Sequence, residues 1–66
     1  MRLEINGERR SVPASATVRE LLENLGFKPD RIAVELNRQI IRRQEWDRTA
    51  LSDMDKIEIV QFVGGG

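Results

Sequence analysis

Sixty-six residues, of which 39% are hydrophobic and 33% charged, make one small globular domain, and eleven basic against eleven acidic side chains leave it formally neutral. With neither histidine nor cysteine, the usual zinc and haem ligands, the commonest general base, the strongest nucleophile and any disulfide are missing, so independent catalysis is not expected. Neutrality argues against nucleic acid as the main partner. No apolar run reaches membrane-span length and Met1-Arg2-Leu3-Glu4 lacks a signal peptide's apolar stretch, so no membrane is expected and cytoplasm is the default location.

Met1, Leu3 and Ile5 alternate with Arg2, Glu4 and Asn6, the period of a half-buried strand. Asn6-Gly7 then predicts a two-residue hairpin whose central residues both take positive φ. The return strand runs from Glu8 to Val12, and Pro13, with no N–H for a ladder, ends it. Thr17-Val18-Arg19-Glu20 fits a capping box, in which the Thr17 hydroxyl accepts from the Glu20 backbone and the Glu20 carboxylate accepts from the Thr17 N–H. Val18, Leu21, Leu22 and Leu25 follow at i, i+3, i+4 and i+7, a helical stripe that would cover the hairpin. Gly26 stands where a left-handed residue closes a helix, and Pro29 prevents its resumption.

Arg31 to Asn37 reads as a third strand, with Ile32, Val34 and Leu36 on one side and Ala33 and Glu35 on the other. Asn37-Arg38 predicts a turn and Ile40-Ile41 a short strand after it. Gln44 to Arg48 is either irregular or a single helical turn. Its Trp46 is expected to anchor a core edge with the indole N–H on an acceptor, an interface role being the alternative. Asp53 and Asp55 flank Met54 in a polar turn, where aspartate serves backbone hydrogen bonding rather than acid–base chemistry. Lys56 to Val63 is the most strand-like segment. The order strand, strand, helix, strand, short strand, strand predicts an α+β domain. Its mixed sheet of four to five strands carries one main helix across one face, with the last strand paired with the first.

Charges lean basic in the middle (Arg38, Arg42, Arg43, Arg48) and acidic towards the end (Asp53, Asp55, Glu58). Most fit a solvated face of mixed sign, and a partner with a basic surface near the last strand is the sharper alternative. If Ile57 and Ile59 face the helix, then Glu58, Val60 and Phe62 face away. With Val63 they are the candidate partner-binding residues, unless Phe62 folds over a sheet edge.

The sequence ends on Gly64-Gly65-Gly66, which offers chemistry only backbone and a carboxylate. The expected division is a domain over 1–63 and a flexible tail over 64–66. Such a tail suits insertion into a narrow cleft where any Cβ would collide, and three extended residues span roughly 10 Å.

Several stretches together resemble the ThiS family, the ubiquitin-like sulfur carriers of thiamine biosynthesis. They are Asn6-Gly7, Thr17 to Leu22, Ala33 to Asn37 with Ile40-Ile41, Gln44-Glu45-Trp46, Asp55 to Val60, and Val63 to Gly66. The chain departs from that family at Arg38 and Met54, where glycine is common, which puts the local turn geometry in question. The resemblance implies a β-grasp fold and a protein cosubstrate that is not itself an enzyme and binds no cofactor. A ThiF-like adenylyltransferase would use ATP to adenylate the Gly66 carboxylate, with Gly64 and Gly65 recognised as the tail. Sulfur from a donor such as a cysteine desulfurase system would then give a thiocarboxylate, which a ThiG-like thiazole synthase would consume. The alternatives are a MoaD-like carrier for molybdopterin, a ubiquitin-like modifier of lysines, and a plain β-grasp interaction module.

Overall fold

A computed structural model describes residues 1–14 and 16–62 of the chain. Strands β1 (Arg2–Ile5) and β2 (Glu8–Ser11) form the expected antiparallel hairpin, with Asn6 and Gly7 at φ 50° and 83°. Strand β2 stops one residue short of Val12, although the Val12 N–H still donates to the Met1 carbonyl at 2.9 Å. Helix α1 (Val18–Leu25) starts in the predicted capping box and ends at Gly26 with φ 81°. Val18, Leu21 and Leu22 are buried beneath it and Leu25 is partly buried, so the stripe faces the core.

A short 3₁₀ turn over Pro29–Arg31 leads into β3 (Ile32–Leu36), which pairs antiparallel with β4 (Gln39–Ile41). A second 3₁₀ turn, Arg43–Glu45, precedes Trp46, and this settles the segment as a single tight turn. Trp46 is 2% exposed and its indole N–H donates to the Ile41 carbonyl at 3.0 Å, so it anchors the core rather than an interface. The chain then crosses the start of α1: Val18 donates to Thr49 at 2.9 Å and Leu51 to Ala16 at 3.0 Å, which brings Leu51 into the core.

Strand β5 (Lys56–Gln61) lies at the centre of the sheet, whose order is β2-β1-β5-β3-β4. It runs parallel to β1 and antiparallel to β3. Leu3, Ile5, Ile32, Val34, Ile57 and Ile59 meet Val18, Leu21, Leu22, Trp46 and Leu51 in one cluster without a buried polar side chain. Burying such side chains contributes about 1.5–3 kcal/mol each, the chief favourable term in so short a chain. This five-stranded mixed sheet wrapped on one helix, with first and last strands side by side, is the β-grasp arrangement.

Arg38 and Met54 sit at φ 71° and 72°, so both turns keep the left-handed geometry that glycine would adopt freely. The domain tolerates the resulting backbone strain, on the order of 1 kcal/mol per residue.

Candidate docking face

Strand β5 is held on both sides by turn asparagines whose left-handed backbones aim their amides at it. Asn6 accepts from the Ile59 N–H at 2.7 Å and donates to the Ile59 carbonyl at 3.2 Å, which prolongs the β1–β5 ladder past the point where β1 turns away. On the β3 side, Asn37 accepts from the Lys56 N–H at 3.0 Å and donates to Asp55 Oδ1 at 3.0 Å. The aspartates do turn work as expected. Asp55 accepts from Ser52 N–H at 2.7 Å, and Asp53 accepts from Arg2 N–H at 2.6 Å, tying the turn to β1. Sequence reasoning found both asparagines as turn residues and missed their second role. Asn6 bonds a residue 53 positions along the chain and Asn37 one 19 positions along, and such distant partners leave no local signal.

With Ile57 and Ile59 turned to the helix, Glu58 and Val60 lie on the open face of the sheet, as the alternation predicted. Phe62 follows directly after β5, and its N–H donates to the Arg31 carbonyl at 2.7 Å while the residue as a whole is 58% exposed. Val60 is 52% exposed. The register places Ala33 opposite Val60, Glu35 opposite Glu58, and Ile40 of β4 opposite Glu35. Ile40 is 75% exposed and belongs to the same face, a residue that the sequence offered only as part of a short strand. The remaining predicted site residues, Val63, Gly64, Gly65 and Gly66, lie outside the described residues, as does the proposed boundary between domain and tail.

Among the described residues no group of acidic side chains is placed to hold a metal ion, and no helix is long and apolar enough to cross a membrane. What the arrangement offers is a firmly held central strand, an open face carrying apolar and acidic side chains, and a glycine sequence following that strand.

Comparison with known proteins agrees along the whole chain. The ThiS family model matches residues 3–66. The sulfur carrier protein ThiS of Escherichia coli is 33% identical over 66 residues, covering 100% of both chains. The crystal structure of the thiamine biosynthesis protein ThiS from Geobacter metallireducens superposes with a TM-score of 0.86 at 36% identity, covering 100% of each chain. A thiazole synthase of Paramagnetospirillum magneticum is 47% identical over all 66 residues, and the chain spans 20% of the length of that relative. By its sequence along its length and by its fold, the chain belongs to the ThiS family.

Proposed function

We propose that the Gly66 carboxylate is the working group of this carrier, adenylated by a ThiF-like enzyme with ATP and then converted to a thiocarboxylate. A carboxylate is a poor acyl donor because its leaving group would be an oxide. Attack of the Gly66 carboxylate on the α-phosphorus of ATP expels pyrophosphate and gives an acyl-adenylate, from which AMP departs readily. A persulfide or sulfide supplied by a cysteine desulfurase system displaces AMP. A persulfide adduct then needs a thiol to cleave its S–S bond and release the thiocarboxylate. The domain itself contributes no acid, base or nucleophile; it is a handle that presents the terminus.

Membership of the ThiS family is the observation that carries this reading, and the central position of β5 supports it. The strand that leads to the glycines is bonded on both flanks, so a partner can draw on the terminus without unravelling the sheet. Thiazole synthase is the proposed acceptor, supported by the relative of that name, within which a stretch matches this entire chain. The exposed Val60 and Phe62 serve docking to both enzymes, and the cytoplasm, where ATP is available, is the proposed place of action.

ATP–pyrophosphate exchange with the ThiF-like adenylyltransferase tests the proposal. Wild-type chain should support exchange, while Gly65→Ala and Gly66→Ala should abolish it with the fold unchanged. Normal exchange by either variant would refute the role given to the slim terminus.

A further inference from the structure

The order β2-β1-β5-β3-β4 leaves two outer strands, and their edges differ in kind. Strand β2 guards its edge with exposed Glu8, Arg9 and Arg10, the charged composition that keeps edge strands from pairing. Strand β4 consists of Gln39, Ile40 and Ile41, with neither a charge nor a proline, and Ile40 is 75% exposed. The register fixes where its backbone points. Asn37 N–H donates to Lys56 at 2.8 Å and Phe62 N–H to Arg31 at 2.7 Å, so every second residue of β3 from Arg31 bonds β5. The residues between them turn to β4, which makes Val34–Ile41 and Leu36–Gln39 the bonded pairs. Ile40 stands between those pairs, so its N–H and C=O both face outward from the sheet. Arg42 is extended too, at φ −66° and ψ 146°, which turns its N–H to the same side while its C=O accepts from Glu45 at 2.8 Å.

We propose that the β4 edge takes up an extended segment of a partner protein as an added strand, antiparallel to β4, with an apolar residue opposite Ile40 and a carboxylate two places to either side of it. The Ile40 N–H and C=O exchange bonds with the residue that faces them, and the Arg42 N–H adds a third. Backbone bonds then give affinity and alternate side chains give specificity, as in strand addition generally. The charges on the page choose the occupant. Arg38 and Arg42 lie two residues either side of Ile40, both exposed and neither in an ion pair among the described residues. Arg43 next to them is already paired with Asp30 at 2.6 Å. Carboxylates at those two positions meet both unpaired cations, and opposite charges facing each other across strands stabilise the pair. The same arginines reject a second copy of this chain: two β4 strands related by a twofold axis at Ile40 set Arg38 of one against Arg42 of the other. This inference goes beyond the carrier reading and uses neither the Gly66 carboxylate nor the enzymes proposed above.

The probe is a short capped peptide with a central valine, a glutamate two places to either side of it, and threonine or serine elsewhere. It is titrated into the full chain and followed by amide resonances and amide hydrogen exchange. At about 1 mM peptide the Ile40 and Arg42 amides should exchange about tenfold more slowly, while Gln39 and Ile41, already bonded to β3, keep their rates. Exchanging both glutamates of the peptide for glutamine should weaken binding about tenfold at low salt, and high salt should erase most of the difference. Arg38→Gln combined with Arg42→Gln should do the same with the thermal midpoint within a few degrees of wild type, because both side chains are exposed. Methylating the valine nitrogen, which removes a ladder donor, should abolish binding, and Arg9→Gln on the β2 edge should leave it unchanged. Unslowed exchange at Ile40, indifference to the methyl group, protection mapped to β2, or equal binding of a peptide with lysine in place of glutamate each overturns the proposal. Association of the chain with itself, with Ile40 protected in the absence of peptide, overturns it in favour of a second copy. Pyrophosphate exchange has no bearing on these outcomes, so the carrier reading stands or fails separately.

Discussion

Replacing Asn6 by glycine removes the amide that holds β5 while keeping a residue at ease with the φ of 50° found there. The change deletes the hydrogen bond from Ile59 N–H at 2.7 Å and the one to the Ile59 carbonyl at 3.2 Å. Each such bond contributes about 1 kcal/mol net, and stranding the partly buried Ile59 groups adds about another 1 kcal/mol. Relief of the left-handed asparagine returns up to ~1 kcal/mol. The expected net loss is about 2 kcal/mol, which lowers the thermal midpoint of a domain this size by about 8–16 °C. Urea unfolding followed by the fluorescence of the buried Trp46 measures the loss directly, and amide hydrogen exchange locates it. Ile59 should exchange faster by more than the global destabilisation explains, whereas Leu3 should follow the global value. Asn6→Asp, which keeps the acceptor but sets a carboxylate against the Ile59 carbonyl, should be no more stable than Asn6→Gly. A stability loss for Asn6→Gly under about 0.5 kcal/mol, with Ile59 exchange unaltered, would refute the clamp.

Thr17→Ala removes the hydroxyl that accepts from the Glu20 N–H, leaving only the backbone half of the capping box at α1, and should cost about 1 kcal/mol in chemical denaturation. Arg38→Gly and Met54→Gly relieve residues held at φ 71° and 72°, so each should raise stability by up to about 1 kcal/mol; a loss would show that these side chains contribute packing. Trp46→Phe leaves the Ile41 carbonyl without its indole donor and opens space in the core, and should lower stability by about 2 kcal/mol in urea unfolding followed by circular dichroism. Phe62→Asp should leave the thermal midpoint within a few degrees of wild type, because the residue is exposed, yet weaken binding to both proposed enzyme partners in a titration.

Local chemistry made much of this fold legible. Asn6-Gly7 can do little but turn, Thr17 with Glu20 can only cap, and Gly26 closes the helix because it alone accepts φ 81° without cost. The alternation along β5 likewise told Val60 and Phe62 from Ile57 and Ile59, since a strand's two faces are fixed by its period. Features that depend on which strands become neighbours were not legible. Glu35 and Glu58 oppose each other only because β5 inserts between β1 and β3, and Ile40 joins them only through the β3–β4 register. The same holds for Asn6 and Asn37, whose side chains bond a strand that the turn signal cannot reveal. At Arg38 and Met54 the residue types left either a changed turn or tolerated strain open, and the left-handed backbone persists at a strain of about 1 kcal/mol each.

Intact mass spectrometry of the chain, after incubation with the adenylyltransferase, ATP and a sulfur donor, tests the carrier chemistry most directly. A species heavier by the difference between one sulfur and one oxygen, with the change mapped to Gly66 by fragmentation, is the predicted result. An unchanged Gly66 carboxylate under conditions that load the Escherichia coli relative would contradict it.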